Sequence, residues 1–441
     1  MTYIVKNQLF GTDGIRGLAG EGFLTIEALD KIIGSVLFCI PNVKNVLIGQ
    51  DTRLSGEMLS NIVSAIFSSY GVNVTNLGIA PTPSIAFLTK KYEFDLGIVI
   101  SASHNSFEDN GIKFFDNNGC KFTSDFEGKI TSAFFAGKTI SKKTHKQIGT
   151  LYRRNLLKKY EDYVLQKFSI NLSKIKIVVD CANGAMYKIA RSIFKKLKGD
   201  ITYIFNKPNG ININENCGAV YPKNLCYTVL KKNADIGFAF DGDGDRLVVC
   251  DENGEVIDGD HLLGFLGKMA CSHDESRNII ISEMSNLGLE NYLTNIGYSV
   301  IRTPVGDKYI AEKIYRKESL FGGENSGHII LGKYQETGDG LIAALKILEL
   351  MQNRNDSISK LARDFTLLPS VKINVRVEDK DKISSTVLKK ISEKFESENT
   401  RILLRKSGTE NLIRILIEGD NYDDIAKIAA KMKEEITSLD K

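Results

Sequence analysis

Short runs of β-branched and aliphatic residues recur along this chain, and each stops abruptly in a small polar loop. NVLIGQDTR (Asn45–Arg53), DLGIVISASHN (Asp95–Asn105), KIVVDCANG (Lys176–Gly184), DIGFAFDGDGD (Asp235–Asp245) and NIIISEMSN (Asn278–Asn286) all have this form. Runs that are apolar at consecutive positions, rather than alternating, predict strands buried on both faces. Helix-like stretches stand between them, at Ser55–Tyr70, Leu151–Phe168 and Gly340–Gln352. Strand alternating with helix is the pattern of α/β domains with largely parallel sheets. The chain has 441 residues, too many for one ordinary core, so three or four domains are expected.

The runs also rhyme. Three times a strand ends in a polar loop and a helix follows, at Gln50–Arg53, Asp180–Gly184 and Ser282–Asn286. Three times a later strand ends in a richer loop, at Ser101–Asn105, Asp241–Asp245 and Gly322–Gly327. This reads either as three related modules in tandem or as the ordinary rhythm of any α/β chain. Beyond about residue 368 the texture changes. Lys372–Val377 and Arg401–Leu404 read as strands, and Asp379–Glu396 and Tyr422–Thr437 as helices, giving a smaller α+β unit. The expected domains are 1–150, 151–253, 254–367 and 368–441. In open α/β sheets ligands collect at the carboxyl ends of strands. The polar loops follow strands, so they are expected to face one cleft.

Charge and cysteine usage narrow the function classes. The net charge of +4 is small for this length, and no long basic run is interleaved with aromatics, which argues against a dedicated nucleic-acid binder. Lysine pairs such as Lys142-Lys143 and Lys195-Lys196 read as solvated faces. The seven cysteines include no C-x-x-C pair, fitting reduced thiols in a cytoplasmic protein rather than a zinc site. No apolar segment reaches membrane-spanning length, and the start MTYIVKNQLFGTDGIRG is not a signal peptide.

Four loops carry candidate chemistry. In DGDGDR (Asp241–Arg246) glycines alternate with three carboxylates, allowing the backbone to curl Asp241, Asp243 and Asp245 onto one point. Carboxylates so gathered repel one another unless a hard divalent cation joins them, Mg²⁺ being favoured over Ca²⁺. Glu252 falls at the twelfth position of an EF-hand count, but Arg246 stands where that loop wants glycine. An acidic surface turn is the alternative. GGENSGH (Gly322–His328) presents Glu324, Asn325, Ser326 and His328, which suits a hydroxyl-rich ligand or a simple polar turn. RKSGTENLIR (Arg405–Arg414) offers Arg405, Ser407, Gly408, Thr409 and Arg414 as an anion nest, with phosphate the natural guest, or as a structural turn. In SASHN, Ser103 next to His104 tempts towards hydrolase chemistry. Neighbours on an extended segment point to opposite sides, and no G-x-S-x-G elbow is present. The other reading is a serine that bears a phosphoryl group near the cation.

Taken together and in this order, FGTDGIRG (Phe10–Gly17), SASHN, DGDGDR, TPVGDKY (Thr303–Tyr309), GGENSGH and RKSGTEN resemble the α-D-phosphohexomutases over nearly the whole chain. The form FGTDGIRG and a length near 441 resemble the glucosamine branch of that family. The resemblance implies three tandem related α/β domains with mixed sheets and a small C-terminal α+β domain, around a central cleft. It implies an isomerase that interconverts glucosamine 6-phosphate and glucosamine 1-phosphate in the cytoplasm, supplying amino-sugar nucleotide and cell-wall precursor synthesis. A phosphomannomutase/phosphoglucomutase, or a non-catalytic sugar-phosphate sensor, is the alternative. Ser103 would be the phosphoserine. Asp241, Asp243 and Asp245, with a phosphoryl oxygen on Ser103, would hold Mg²⁺. Arg16, His104, Lys113 and Arg246 would line the transfer site, with Lys113 handling the proton. Glu324, Ser326 and His328 would bind the sugar. Arg405, Ser407, Gly408, Thr409 and Arg414 would hold the non-reacting phosphate. Glucosamine 1,6-bisphosphate would be the activating intermediate. The implied partner is a small sugar phosphate, with neither nucleic acid nor membrane, and a homodimer is left open. Ser106, Asn325, Lys308 and Asn411 depart from the family's usual residues, and Asn325 lies in the sugar loop.

Overall fold

Where the chain is apolar at consecutive positions, it is buried from both sides. In a computed structural model, which describes residues 8–271, 277–397, 400–407 and 410–439, the first such strands build one six-stranded sheet. Its members are β1 (Ile15–Leu18), β2 (Asn45–Gln50), β3 (Asn73–Ile79), β4 (Leu96–Ile100), β5 (Asp109–Phe115) and β6 (Leu151–Arg153), in the order β1-β5-β4-β2-β3-β6. β2 runs parallel to β3 and β4, whereas β5 is antiparallel to both β4 and β1. Helices Ile26–Cys39 and Leu54–Ser69 contribute Ile32, Ile33, Val63 and Phe67 to a core shared with Val46, Ile48, Ile98 and Ile100.

The second sheet contains β7 (Lys176–Asp180), β8 (Asp200–Ile204), β9 (Ile236–Phe240), β10 (Leu247–Asp251) and β11 (Val256–Ile257), ordered β11-β10-β9-β7-β8. The third contains β12 (Asn278–Ser282), β13 (Ser299–Thr303), β14 (Phe321–Gly323) and β15 (Ile329–Leu331), ordered β13-β12-β14-β15. The series β3-β2-β4-β5, β8-β7-β9-β10 and β13-β12-β14-β15 is one arrangement written three times. In each, three parallel strands are followed by an antiparallel return. The rhyme in the sequence is therefore a structural repeat. Each richer loop is the reversal between the last parallel strand and its return, so the sheets are mixed rather than largely parallel. The reversal also sets Lys113 on β5 opposite Val99 on β4, two residues before the SASHN loop begins.

These three sheets belong to one compact body. A second body gathers Glu283–Tyr298, including helix Leu287–Asn295, with the chain from Phe365 onward. Its sheet is antiparallel, with β16 (Ser370–Arg376), β17 (Thr400–Lys406) and β18 (Leu412–Gly419) in the order β16-β18-β17. Helices Ser385–Phe395 and Tyr422–Leu439 pack Leu388, Ile391, Ile425 and Met432 against Ile413, Ile415 and Ile417.

Two predicted elements differ in extent. Leu151–Phe168 is not one helix. Leu151–Arg153 joins the sheet beside β3, and the helix runs over Leu157–Lys167. The helix expected from Asp379 runs over Ser385–Phe395, because Ser384 Oγ accepts the Val387 N–H and caps it there. Among the described residues no helix is long and apolar enough to cross a membrane.

Asp180, at the end of β7, accepts the N–H groups of Ala182 (2.8 Å) and Gly218 (2.9 Å). Burial outweighs those donors and lifts its carboxyl to about 7. The folded chain thus keeps a proton that an unfolded aspartate, near 3.9, has released. Unfolding free energy should therefore fall as pH rises from about 4 to about 7, by at most about 1.4 kcal/mol per unit from this group. Asp180→Asn should flatten that part of the slope. Urea unfolding midpoints at pH 5 and pH 7.5 check this, and an unchanged slope would refute it.

Candidate functional site

Ser103 follows β4, where the chain must leave the sheet and return as β5. It adopts φ +52°, a left-handed conformation that costs a non-glycine residue on the order of 1–3 kcal/mol. Its N–H donates to Ser101 Oγ (2.9 Å), and its own buried Oγ donates to Asp241 Oδ2 (2.6 Å). The extended geometry expected for SASHN is therefore corrected. The left-handed turn brings Ser103 Oγ to 3.3 Å from His104 Nδ1, but His104 is a poor base. Burial, then the Arg246 and Arg16 guanidinium groups, push its pKa down to about 4.

The β9–β10 reversal carries Asp241, Asp243 and Asp245, all buried, with carboxylate oxygens within 4.8 Å of one another. Asp241 Oδ1 accepts the N–H groups of Gly244 (3.1 Å) and Arg246 (3.2 Å). Burial, then the like charges of Asp245 and Asp243, raise the Asp241 carboxyl well above its usual range. Asp243 Oδ2 accepts from Thr82 Oγ1 (2.5 Å) and Lys113 Nζ (2.7 Å). Asp243 Oδ1 and Asp245 Oδ1 have no hydrogen-bond partner among the described residues despite full burial. Bare carboxylate oxygens at the focus of three aspartates are the donor set a hard divalent cation requires. This acidic cluster can hold such an ion.

The surrounding charges are cationic. Lys113 Nζ lies 2.8 Å from Asp13 Oδ2, 2.7 Å from Asp243 Oδ2 and 3.3 Å from Asp245 Oδ2. Burial alone would lower its pKa. The three carboxylates overcome that and raise it well above the usual lysine value, so Lys113 is held as ammonium. Arg16 pairs with Asp13 and donates to Asn105 Oδ1 (3.2 Å). Arg246 Nε is buried without a partner among the described residues.

The β14–β15 reversal contributes Glu324 and His328. Glu324 Oε1 accepts the Gly306 N–H (2.9 Å), and Ser326 Oγ lies 3.4 Å from Glu324 Oε2. His328 Nδ1 is 3.8 Å from Asp245 Oδ1, and its Nε2 is 3.4 Å from Asp307 Oδ2. Burial works against a charge on this ring, but Asp307 and Asp245 raise its pKa overall. Arg246 and His328 also form a β-bridge, tying the second reversal to the third. Eleven of the sequence-level candidates, from Arg16 to His328, thus lie on the three reversals or beside them, within one compact body.

Arg405, Ser407 and Arg414 lie in the second body, where Arg405 and Arg414 are register partners on β17 and β18. Ser407 accepts Lys380 Nζ on its carbonyl (2.7 Å) and the Glu410 N–H on its Oγ (3.4 Å). Arg414 is 3.8 Å from Glu410. Gly408 and Thr409 lie outside the described residues.

Residues not singled out from sequence complete the first body's site. Asp13, inside FGTDGIRG, meets Lys113 and Lys121 (2.5 Å), and Lys121 also pairs with Asp307. Thr82 opens a helix and donates to Asp243; the flanking Pro81 and Pro83 were its signal, marking a helix start. Arg53, in NVLIGQDTR, and Asn214 reach the backbone of the SASHN loop.

Comparison with known proteins places the chain among relatives of one kind. Models of phosphoglucomutase/phosphomannomutase α/β/α domains I, II and III match residues 7–141, 158–254 and 258–367, and the model of the C-terminal domain matches 373–435. Phosphoglucosamine mutase of Campylobacter hominis is 44% identical over 427 residues, covering 94% of this chain and 95% of that one. Phosphoglucosamine mutase of Nautilia profundicola is 42% identical over 434 residues, covering 97% and 98%. The fold matches a phosphoglucomutase/phosphomannomutase family protein from Burkholderia thailandensis with TM-score 0.83 at 22% identity, covering 99% of this chain and 98% of that one. It also matches N-acetylphosphoglucosamine mutase of Aspergillus fumigatus in complex with GlcNAc-6P and magnesium, with TM-score 0.60 at 15% identity, covering 98% and 96%.

Proposed function

The chain belongs to the phosphoglucomutase/phosphomannomutase family, and from that premise we propose that it is an isomerase interconverting glucosamine 6-phosphate and glucosamine 1-phosphate through a phosphorylated Ser103. The observation that carries this reading is the placement of Ser103 Oγ 2.6 Å from Asp241, in the loop whose Asp243 Oδ1 and Asp245 Oδ1 are buried without a hydrogen-bond partner among the described residues. A hydroxyl built to attack a carbonyl would face a base. This one donates to Asp241 in a loop of three carboxylates, beside a His104 ring whose pKa is pushed down, an arrangement suited to a group that is loaded with phosphate and unloaded again beside a cation.

In the first half-reaction the bond from phosphorus to Ser103 Oγ breaks as one forms to a hydroxyl oxygen of the bound hexose phosphate, giving a sugar bisphosphate. After the bisphosphate reorients, its other phosphoryl group returns to Ser103. The hydroxyl proton released in one half is restored in the other, and Lys113, held as ammonium, suits the donating half. Mg²⁺ held by Asp241, Asp243, Asp245 and a phosphoryl oxygen on Ser103 would neutralise charge on the transferring group. Arg16 and Arg246 add fixed positive charge, Glu324, Ser326 and His328 would bind the sugar, and Arg405, Ser407, Gly408, Thr409 and Arg414 would hold the phosphate that does not react. Glucosamine as the sugar is supported by the relatives from Campylobacter hominis and Nautilia profundicola, both phosphoglucosamine mutases. The product would feed amino-sugar nucleotide and cell-wall precursor synthesis in the cytoplasm.

A panel of glucosamine, glucose and mannose phosphates with Mg²⁺ and a trace of glucosamine 1,6-bisphosphate tests the assignment. Glucosamine 6-phosphate should give the highest kcat/KM, and a clear preference for glucose or mannose phosphate would overturn it. Asn325→Gln should shift that preference ratio without removing activity, since Asn325 belongs to the Glu324–His328 reversal. Steady release of phosphate without isomerised product would instead indicate a phosphatase.

A further inference from the structure

The carbonyl oxygens of Ser103 and Asn105 are gripped twice, by side chains from two different sheets' loops. Arg53 NH2 donates to Ser103 O (3.0 Å) and Asn105 O (2.8 Å). Asn214 Nδ2 donates to the same two oxygens, both at 2.9 Å. Arg53 NH1 continues along the loop to Ser106 O and to Asp109 O (2.9 Å). The guanidinium thus spans the turn from its first residue to the start of β5. Its own position is fixed by Asp51, whose Oδ2 accepts from Arg53 Nε (2.9 Å) and Ser101 Oγ (2.6 Å), with both charged side chains fully buried. Ser101 Oγ in turn accepts the Ser103 N–H. Gly242 passes directly over this arrangement. A Cβ there would stand 2.6 Å from Ser103 O and 2.9 Å from Asn214 Nδ2.

We infer that Arg53 and Asn214 form a carbonyl clamp, a pair of positioning residues that holds Ser103 in its left-handed turn and so aims its Oγ at the Asp241–Asp245 loop. This rests on the reading of Ser103 as the phosphoryl carrier. Three features argue against mere scaffolding. A left-handed non-glycine residue persists only where its surroundings over-determine it, and here four donor contacts converge on two carbonyls. Arginine supplies two parallel donors in a rigid fork, which a lysine cannot reproduce. The amide orientation of Asn214 is dictated by chemistry, because both partners are carbonyls and only Nδ2 can serve them. The clamp's donors are directed to backbone carbonyls of the loop. Loss of the clamp should slow transfer and leave ground-state binding nearly alone.

Asn214 is only partly buried, and its truncation leaves no buried charge unpaired, so Asn214→Ala is milder than truncating Arg53. Asn214→Ala should lower kcat by a factor on the order of 10 to 100, the usual cost of sub-ångström to 1 Å misplacement. Because Asn214 has φ +57°, Asn214→Gly, which removes the donor without backbone strain, should give the same result. KM for glucosamine 6-phosphate should stay within about threefold. Single-turnover transfer from phosphorylated Ser103 to sugar, followed by intact mass, should slow by the same factor as kcat. Asn214→Asp sets a carboxylate against two carbonyls and should be slower still. Arg53→Lys keeps the charge beside Asp51 without the fork and should also lower kcat. A folded Asn214→Ala with wild-type kcat and transfer rate, or a loss confined to KM, would overturn the clamp. If the wild-type enzyme itself acquires no phosphate on Ser103 and isomerises no hexose phosphate, the underlying reading fails instead.

Discussion

Ser103→Ala should remove mutase turnover and leave the fold in place. The loss in kcat should reach at least about 10³-fold, as expected when the group that changes covalent partner is deleted. The structural cost is small because the Ser103 side chain makes one strong hydrogen bond, to Asp241, worth about 0.5–1.5 kcal/mol. The contacts that shape the loop are made to its carbonyl and N–H, and alanine retains both. Intact mass should show a fraction of wild-type molecules heavier by one phosphate, and none in the variant. Thermal unfolding should shift by only a few degrees. A Ser103→Ala protein that turns over normally would end the phosphoserine mechanism.

How much of this was legible in the sequence depends on the range of the interaction. The strands announced themselves because burial on both faces demands consecutive apolar residues, as in Ile236–Phe240. The reversals announced themselves because curling three aspartates together takes glycine at Gly242 and Gly244, the second with φ +78°. The left-handed turn at Ser103 left no such mark, since nothing in Ser-Ala-Ser-His signals a positive φ. The clamp was equally hidden. Arg53 and Asn214 act on backbone carbonyls, which carry no side-chain signature. Their targets lie 50 and 111 residues away in the chain. Asp13 could be read as part of a motif but not as a partner of Lys113, a pairing created when β1 docks beside β5. Leu151–Arg153 misled for a related reason. Three residues suffice for an edge strand when β3 waits beside them, and three residues carry no period.

Lys113→Met should destabilise the protein as well as slow it, and the combination separates two roles for this residue. A lysine that only moves a proton would be lost with little change in stability. Here the ammonium is 1% exposed and lies within 3.3 Å of Asp13, Asp243 and Asp245. Methionine fills similar space but leaves buried carboxylates without their counter-charge, which costs about 3–5 kcal/mol. The sign with pH is determined. Lys113 is raised in the folded state, so its contribution is complete below about 10.5 and is lost as pH rises through the folded value. Asp13 and Asp245 are lowered, so theirs is present above about 3.9 and is lost as pH falls through their folded values. Near neutral pH both contributions are in force, so urea unfolding at pH 7 with a chelator present should show the full deficit. Adding millimolar Mg²⁺ should narrow the gap to wild type, because a cation bound only by the folded state stabilises it and returns positive charge to Asp243 and Asp245. A variant as stable as wild type in chelator, yet inactive, would assign Lys113 to proton transfer alone. One that stays equally destabilised with or without Mg²⁺ would show that the aspartates do not share their charge between Lys113 and a metal.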